Sequence, residues 1–242
     1  MLSAAALLDV WEWGEARSPF GRGAALVAAS SPELTVEALA VLSIGEREER
    51  LLAIRTRLFG PTVTGLVVCP HCGVRVEIEF DSRELGVSSE ARRTREFQLT
   101  VGGLELCCRL PSGADVEAVS ALADVDAVCA ALLARCVTAR DVAGNVVPAA
   151  ALPAEVVRAI GDEMDRLDPL AVIRLPVECP SCGGAWEAAL DVQSFVWTEL
   201  RAWARRTLRE VHALARAYGW TEAEVLALSA TRRRAYLELV AQ

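Results

Sequence analysis

Two short stretches of the 242-residue chain hold its most reactive side chains: CPHCG at residues 69–73 and CPSCG at residues 179–183. Thiolates surround a zinc ion tetrahedrally at about 2.3 Å, and two tight turns that each donate a pair of sulfurs complete that shell. The C-P-x-C-G order suits such a turn. Proline presets one backbone angle, and the glycine after the second cysteine admits the conformation that turns both sulfurs inward. Each copy leads from an extended segment into an alternating one, VVCPHCGVRVEIEF at 67–80 and PVECPSCGGAWEAAL at 176–190. A single C-x-x-C would be weak, because redox motifs share it. Two in matching contexts point to one site built from Cys69, Cys72, Cys179 and Cys182. Neither turn opens a helix that would lower a thiol pKa, which argues against a redox pair. The expected cofactor is one structural zinc ion, closed by four sulfurs with no position left for water.

Other chemistry is sparse. His71 lies inside the first turn, where four cysteines already fill the shell, and His212 has no nucleophile or acid at a useful spacing. Cys107, Cys108, Cys129 and Cys136 sit in apolar surroundings and are expected as small core residues. The chain has no phosphate loop, G-x-S-x-G elbow, H-E-x-x-H or paired-glycine dinucleotide site. The runs GEREER and GDEMDRLD mix both signs, as solvated helix faces do. An enzyme is not expected.

The elements that must position the cysteines follow from periodicity. Residues 1–60 form a helical block of four short helices, the last with a capping box of Ser43 and Glu46 and a stripe of Leu51, Leu52, Arg55 and Leu58. Trp11 and Trp13 are expected to pack this block. At residues 61–110 the period changes to two, with a hairpin at Gly102-Gly103. Residues 111–167 return to helical character, and 168–190 resume the β pattern. Residues 191–242 form amphipathic helices. The long one has its apolar face at Val196, Leu200, Trp203, Ala204, Leu208, Val211, Ala215 and Tyr218, and it stops at Gly219. A second capping box, Thr221 with Glu224, opens the next helix. No low-complexity linker intervenes. The predicted fold is thus one integrated α+β domain: helical N- and C-terminal blocks around a small β region, with a four-cysteine zinc ribbon formed by two distant knuckles.

The bulk composition narrows the functional classes. A hydrophobic content of 53% supports a sizeable core, and a formal charge of -8 disfavours a protein whose main task is to hold a phosphate backbone. Every basic side chain is arginine, which fits a GC-rich bacterial genome. Apolar runs end well short of the roughly 20 residues of a membrane span, and no secretion signal opens the chain. Eight cysteines in such a chain therefore suggest a reducing, cytoplasmic setting, not a disulfide framework.

Several of these segments carry a resemblance. SPFGRGAALVAAS, LSIGEREERLLAIRTRLFGP, VVCPHCGVRVEIEFD, LLARCVTA, DPLAVIRLPVECPSCGGAWEAALDVQSFVWTEL and REVHALARAYGWTEAEVLALSATRRRAYLELV together cover nearly the whole chain. In this order they resemble proteins encoded in phage-like contractile injection system clusters, which are similar to the T-even phage baseplate hub assembly chaperone family. The resemblance implies an assembly factor for the baseplate, hub or tail of a contractile nanomachine. Its partners would be baseplate, hub or spike, or tape-measure proteins, and the chain could be incorporated into the assembled particle. The C-terminal helices offer a candidate partner surface in Trp203, Tyr218, Trp220, Arg232, Arg233, Arg234 and Tyr236, since aromatic and arginine side chains dominate interface energetics. A zinc-ribbon adaptor contacting nucleic acid or transcription machinery is the alternative, and it would need a basic, aromatic face on the ribbon. A metal-dependent hydrolase would need an open ligand position, which four cysteines do not leave.

Overall fold

A computed structural model of the chain describes residues 2–85 and 95–240. Residues 86–94, within the first stretch expected as β, lie outside the described residues. In chain order the elements are α1 (Ala4–Glu15), α2 (Pro19–Ser30), α3 (Val36–Ala40), α4 (Ile44–Phe59), β1 (Thr62–Val68), β2 (Arg75–Asp81), β3 (Glu96–Val101) and β4 (Leu104–Arg109). There follow α5 (Gly113–Val119), α6 (Val125–Cys136), β5 (Val137–Arg140), β6 (Val146–Val147), a 3-10 turn, α7 (Ala154–Leu167), β7 (Ile173–Glu178) and β8 (Ala185–Leu190). The chain closes with α8 (Val192–Tyr218), α9 (Glu222–Ala227) and α10 (Ala230–Val240). Two compact units emerge where one integrated domain is expected: Leu34–Val192 is one, and Met1–Glu33 with Gln193–Gln242 is the other.

Among the described residues the Leu34–Val192 unit holds three separate sheets, not one platform: the antiparallel hairpins β1–β2 and β7–β8, and a four-stranded sheet in the order β3-β4-β5-β6. Residues 111–167, expected as a helical insertion, contain two of those strands. The helix predicted to run through LLARCVTA ends at Cys136. Val137 and Thr138 are β-branched and pair with Cys108 and Cys107 of β4, so sheet pairing overrides helical continuation. A turn then reverses the chain, with the Asp141 carboxylate accepting from the amides of Ala143 and Asn145. Val156 and Ile160 of α7 cover this sheet against Leu106, Cys108 and Ala139. The glycine hairpin at 102–103 forms as expected, with both φ angles positive.

The helix that matters most for the hairpins is α4. Its capping box is present, the Ser43 hydroxyl accepting from the Glu46 amide and the Glu46 carboxylate accepting from the Ser43 amide. At its N-terminus the Gly45 N–H donates to the buried Asp168 carboxylate at 2.9 Å, tying the helix to the segment that enters β7. A side chain at Gly45 would collide with that carboxylate. Near its C-terminus Thr56 Oγ1 bonds Ser82 Oγ at 2.7 Å, just after β2, and Arg55 donates to the Gly60 carbonyl at 2.6 Å, just before β1. One helix of about 24 Å thereby fixes the bases of both hairpins. GEREER is not a solvated face: Arg47 and Glu48 are buried and form an ion pair at 3.1 Å.

A second buried carboxylate, Asp115, gathers the other end of this unit. It receives Arg109 at 2.6 and 2.9 Å, Arg135 at 2.8 Å, and the Ser112 amide and hydroxyl. Those bonds, Arg109 first, hold its carboxyl well below the usual range despite burial.

In the helical unit the buried seam of α8 is Val196, Trp197, Leu200, Ala204, Thr207, Val211 and Leu214. The expected face is therefore rotated slightly: Leu208 and Ala215 are half-buried, and Tyr218 is exposed. Trp197, not singled out by the sequence, packs its ring where a side chain on Gly14 of α1 would stand. Trp13, expected to pack, is 50% exposed with Arg17 stacked on it at 4.3 Å. Gly219 does end α8, and the Thr221–Glu224 capping box does open α9.

Two substitutions at helical glycines should have opposite signs. Gly14→Ala is expected to destabilise by ~1–3 kcal/mol through overpacking against Trp197. Gly161→Ala, with open space around it, should stabilise by ~0.5–1 kcal/mol; thermal unfolding reads both. Asp115→Asn should cost ~2 kcal/mol at neutral pH, a figure reduced because both arginines are more than a third exposed. A depressed carboxyl stabilises fully above its unfolded pKa of about 4 and loses that contribution as pH falls toward its folded value. The gap between wild type and variant should therefore begin to narrow below about pH 4 and shrink further as the pH falls, as followed by denaturant titration across pH.

Candidate metal centre

The two knuckles have one geometry. In the first, the Cys69 N–H donates to the Val74 carbonyl at 2.9 Å and the Gly73 N–H to the Cys69 carbonyl at 3.0 Å, with Gly73 at φ 73°. In the second, the Cys179 N–H donates to the Gly184 carbonyl at 2.9 Å and the Gly183 N–H to the Cys179 carbonyl at 2.9 Å, with Gly183 at φ 69°. Both glycines sit in the left-handed region, where a Cβ is penalised. Each knuckle buries its first cysteine and exposes its second.

The four sulfurs converge as the spacing predicts. Cys69, Cys72, Cys179 and Cys182 offer ligand atoms that all lie within 4.8 Å of one another. Sulfurs of opposite knuckles approach to 3.7 Å for Cys69–Cys182 and 3.6 Å for Cys72–Cys179. Four sulfurs about 2.3 Å from a central ion stand about 3.8 Å apart, so these separations fit a tetrahedral metal. They are far beyond the roughly 2.05 Å of a disulfide. All four cysteines are free.

Electrostatics inside the cluster suit a cation among the sulfurs. Burial opposes ionisation of Cys179, but the amides of Cys182 and Ser181 and the neighbouring thiols bring it down to about 7. Cys72 moves the other way. The Val74 amide favours its thiolate, yet burial and the three surrounding sulfurs push it up to about 12. Four sulfurs this close can all be thiolates only with positive charge among them.

An apolar layer supports the sulfurs symmetrically. Cys69, Val76, Val177, Cys179 and Ala188 form one buried cluster, with Val67, Ile78 and Trp186 packed against it. Val67 and Val177, Val76 and Trp186, and Ile78 and Ala188 hold matching positions in the two hairpins. Strand alternation carries the sequence signal for these positions. The symmetry breaks at Gly184, which matches Val74: a Cβ there would lie 2.5 Å from His71 Cδ2. His71 is thus a packing residue laid across the second knuckle, outside the ligand cluster.

The remaining cysteines divide. Cys108 and Cys136 are buried as expected, whereas Cys107 and Cys129 are exposed. Cys107 follows from strand alternation, its neighbour Cys108 taking the core face. Burial pushes the Cys108 thiol up to about 11, which suits packing and not nucleophilic chemistry.

The candidate partner residues lie in the helical unit. Tyr218, Trp220 and Tyr236 form an aromatic trio, stacked at 4.7 Å and edge-on at 4.9 and 5.7 Å. Trp220 and Tyr236 also pack on Val211, Leu214 and Val225. Arg233 is buried, bound to Glu210 at 3.1 Å and to the Leu228 carbonyl at 3.1 Å. Arg232 and Arg234 are exposed and Trp203 is half-buried. Among the described residues no helix is long and apolar enough to cross a membrane.

A family model described as T4 bacteriophage base plate protein matches residues 29–197. The chain belongs to that family. The base plate family span takes in the whole Leu34–Val192 unit, both knuckles included, and ends six residues into α8. Most of the helical unit, with the aromatic trio and Arg232 to Arg234, lies beyond it. No curated protein and no solved structure gives a significant match.

The metal reading of this geometry is testable on the purified chain. Elemental analysis should return one metal ion per chain. Chelation or Cys179→Ser should remove it and lower the melting temperature, because binding energy at a structural site is folding energy. An unchanged melting temperature after complete chelation would count against a structural metal.

Proposed function

We propose that this chain is a non-enzymatic assembly chaperone or minor structural component for the baseplate, hub or tail of a phage-tail-like contractile injection system, held together by one structural zinc ion. The base plate family match over residues 29–197 carries this proposal. It supports association with other baseplate components, and the hub, spike and tape-measure proteins are the specific partners proposed. The four-sulfur cluster supports the rest. An all-thiolate tetrahedral set suits zinc, and a shell closed by four protein ligands leaves no position for a substrate or an activated water. Reduced thiols fit assembly in the cytoplasm, with incorporation into the finished particle as a later step.

The decisive experiment is affinity purification of the tagged chain from cells assembling the particle, followed by mass spectrometry. Baseplate, hub, spike or tape-measure components should co-purify. Recovery of RNA polymerase or DNA with none of these would replace the proposal by a zinc-ribbon adaptor. Zinc should be the metal found, read by elemental analysis of the same preparation.

A further inference from the structure

The charge of the chain is unevenly distributed. Residues 34–192 hold twenty-four acidic residues against fifteen arginines, whereas residues 193–242 hold eight arginines against five acidic residues. On α8 the exposed Arg205, Arg209 and Arg216 form one stripe with Arg201, which binds Glu15 at 2.8 Å. Among the described residues Arg205, Arg209 and Arg216 make no ion pair. Like charges four apart on a helix destabilise it, and of Arg201, Arg205 and Arg209 in succession only Arg201 is ion-paired among the described residues.

A complementary face exists on the β1–β2 hairpin. Its register places Glu77 opposite Leu66 and Glu79 opposite Thr64, so these four share the side of the hairpin turned away from Val63 and Val76. Leu66 is 69% exposed and the adjacent Val68 61% exposed. Glutamates without a salt-bridge partner among the described residues stand beside these open aliphatic side chains on the solvent face of the hairpin. On the strands of this face Arg75 at the tip is the one cation among the described residues, and Arg174 of β7 lines a groove with Glu77 and Glu79.

The two surfaces match in spacing as well as in sign. Glutamates two apart on a strand repeat at about 6.8 Å, and arginines four apart on a helix repeat at about 6 Å. Arginine also lays its methylene stem on apolar surface while its guanidinium reaches a carboxylate. We propose that the arginine stripe of α8 docks on the outer face of the β1–β2 hairpin of a second copy of this chain, Arg205 and Arg209 meeting Glu77 and Glu79 over Leu66 and Val68. The contact is head-to-tail, so each bound copy leaves one stripe and one hairpin face for the next, and the assembly closes as a ring or grows. Nucleic acid is the less suited occupant of the stripe, because the acidic unit repels a phosphate backbone and Trp220 and Tyr236 are engaged in packing.

Light scattering coupled to size exclusion, together with sedimentation velocity, tests this on the full metal-loaded chain. Wild type at about 100 µM should associate beyond the monomer at low salt and dissociate at several-fold higher ionic strength. R205E/R209E and E77R/E79R should each weaken self-association at least ~10-fold, with helix content and metal load unchanged. An equimolar mixture of the two variants should regain it, since every reversed charge then meets its opposite. A monomeric wild type at low salt overturns the proposal, as does a mixture of folded variants that fails to recover association. Duplex DNA binding lost in R205E/R209E, without self-association in wild type, would assign the stripe to nucleic acid instead.

Discussion

The convergence of four sulfurs governs the larger unit. Cys69 meets Cys182 and Cys72 meets Cys179 across 113 and 107 residues. Closing a loop of that length costs the unfolded chain on the order of 4–5 kcal/mol in cross-link models, comparable to the whole stability of a marginal domain. A hairpin of two strands is marginal on its own, and each of these hairpins has one face whose apolar side chains are buried against the other. Joined at the sulfurs, the two faces cover one another, Val67 and Val76 from the first hairpin with Val177 and Ala188 from the second. The sulfur cluster and the small apolar layer are therefore one device.

That device is held at its far end by polar bonds from α4. Asp168 grips the N-terminus of the helix and Thr56 reaches Ser82, so the bases of both hairpins are set by a single rigid element. The buried pair Arg47–Glu48 lies on the same helix. Buried ion pairs are weak sources of net stability, yet removing one partner strands the other. Their presence here is consistent with fixing the helix in one orientation, as Asp115 does where Arg109 and Arg135 meet.

Legibility in the sequence tracked how local the determining physics was. The two C-P-x-C-G turns, the capping boxes at Ser43 and Thr221, and the Gly102-Gly103 hairpin are each fixed by a few adjacent residues, and each formed. Misreadings occurred where a distant partner decides. Val137 and Thr138 leave the helix because β4 is there to pair with them. Trp197 outranks Trp13 as a packing residue because Gly14, far away in sequence, makes room for its ring. GEREER looks solvated until the neighbours that bury Arg47 and Glu48 are in place. The partition of charge between the two units was also hidden, because a net value averages an acidic unit with a basic helical segment.

The separation of the two knuckles along the chain sets a timetable for synthesis. The ribosome adds about 5–20 residues per second, so the first pair of sulfurs emerges roughly 5–20 s before the second. During that interval the nascent β1–β2 hairpin has only two of the four sulfurs, and the apolar side meant for Val177 and Ala188 has no cover. The larger unit cannot complete its fold until Cys182 has left the exit tunnel. A protein fastened in this way is exposed to misassociation early and secured late.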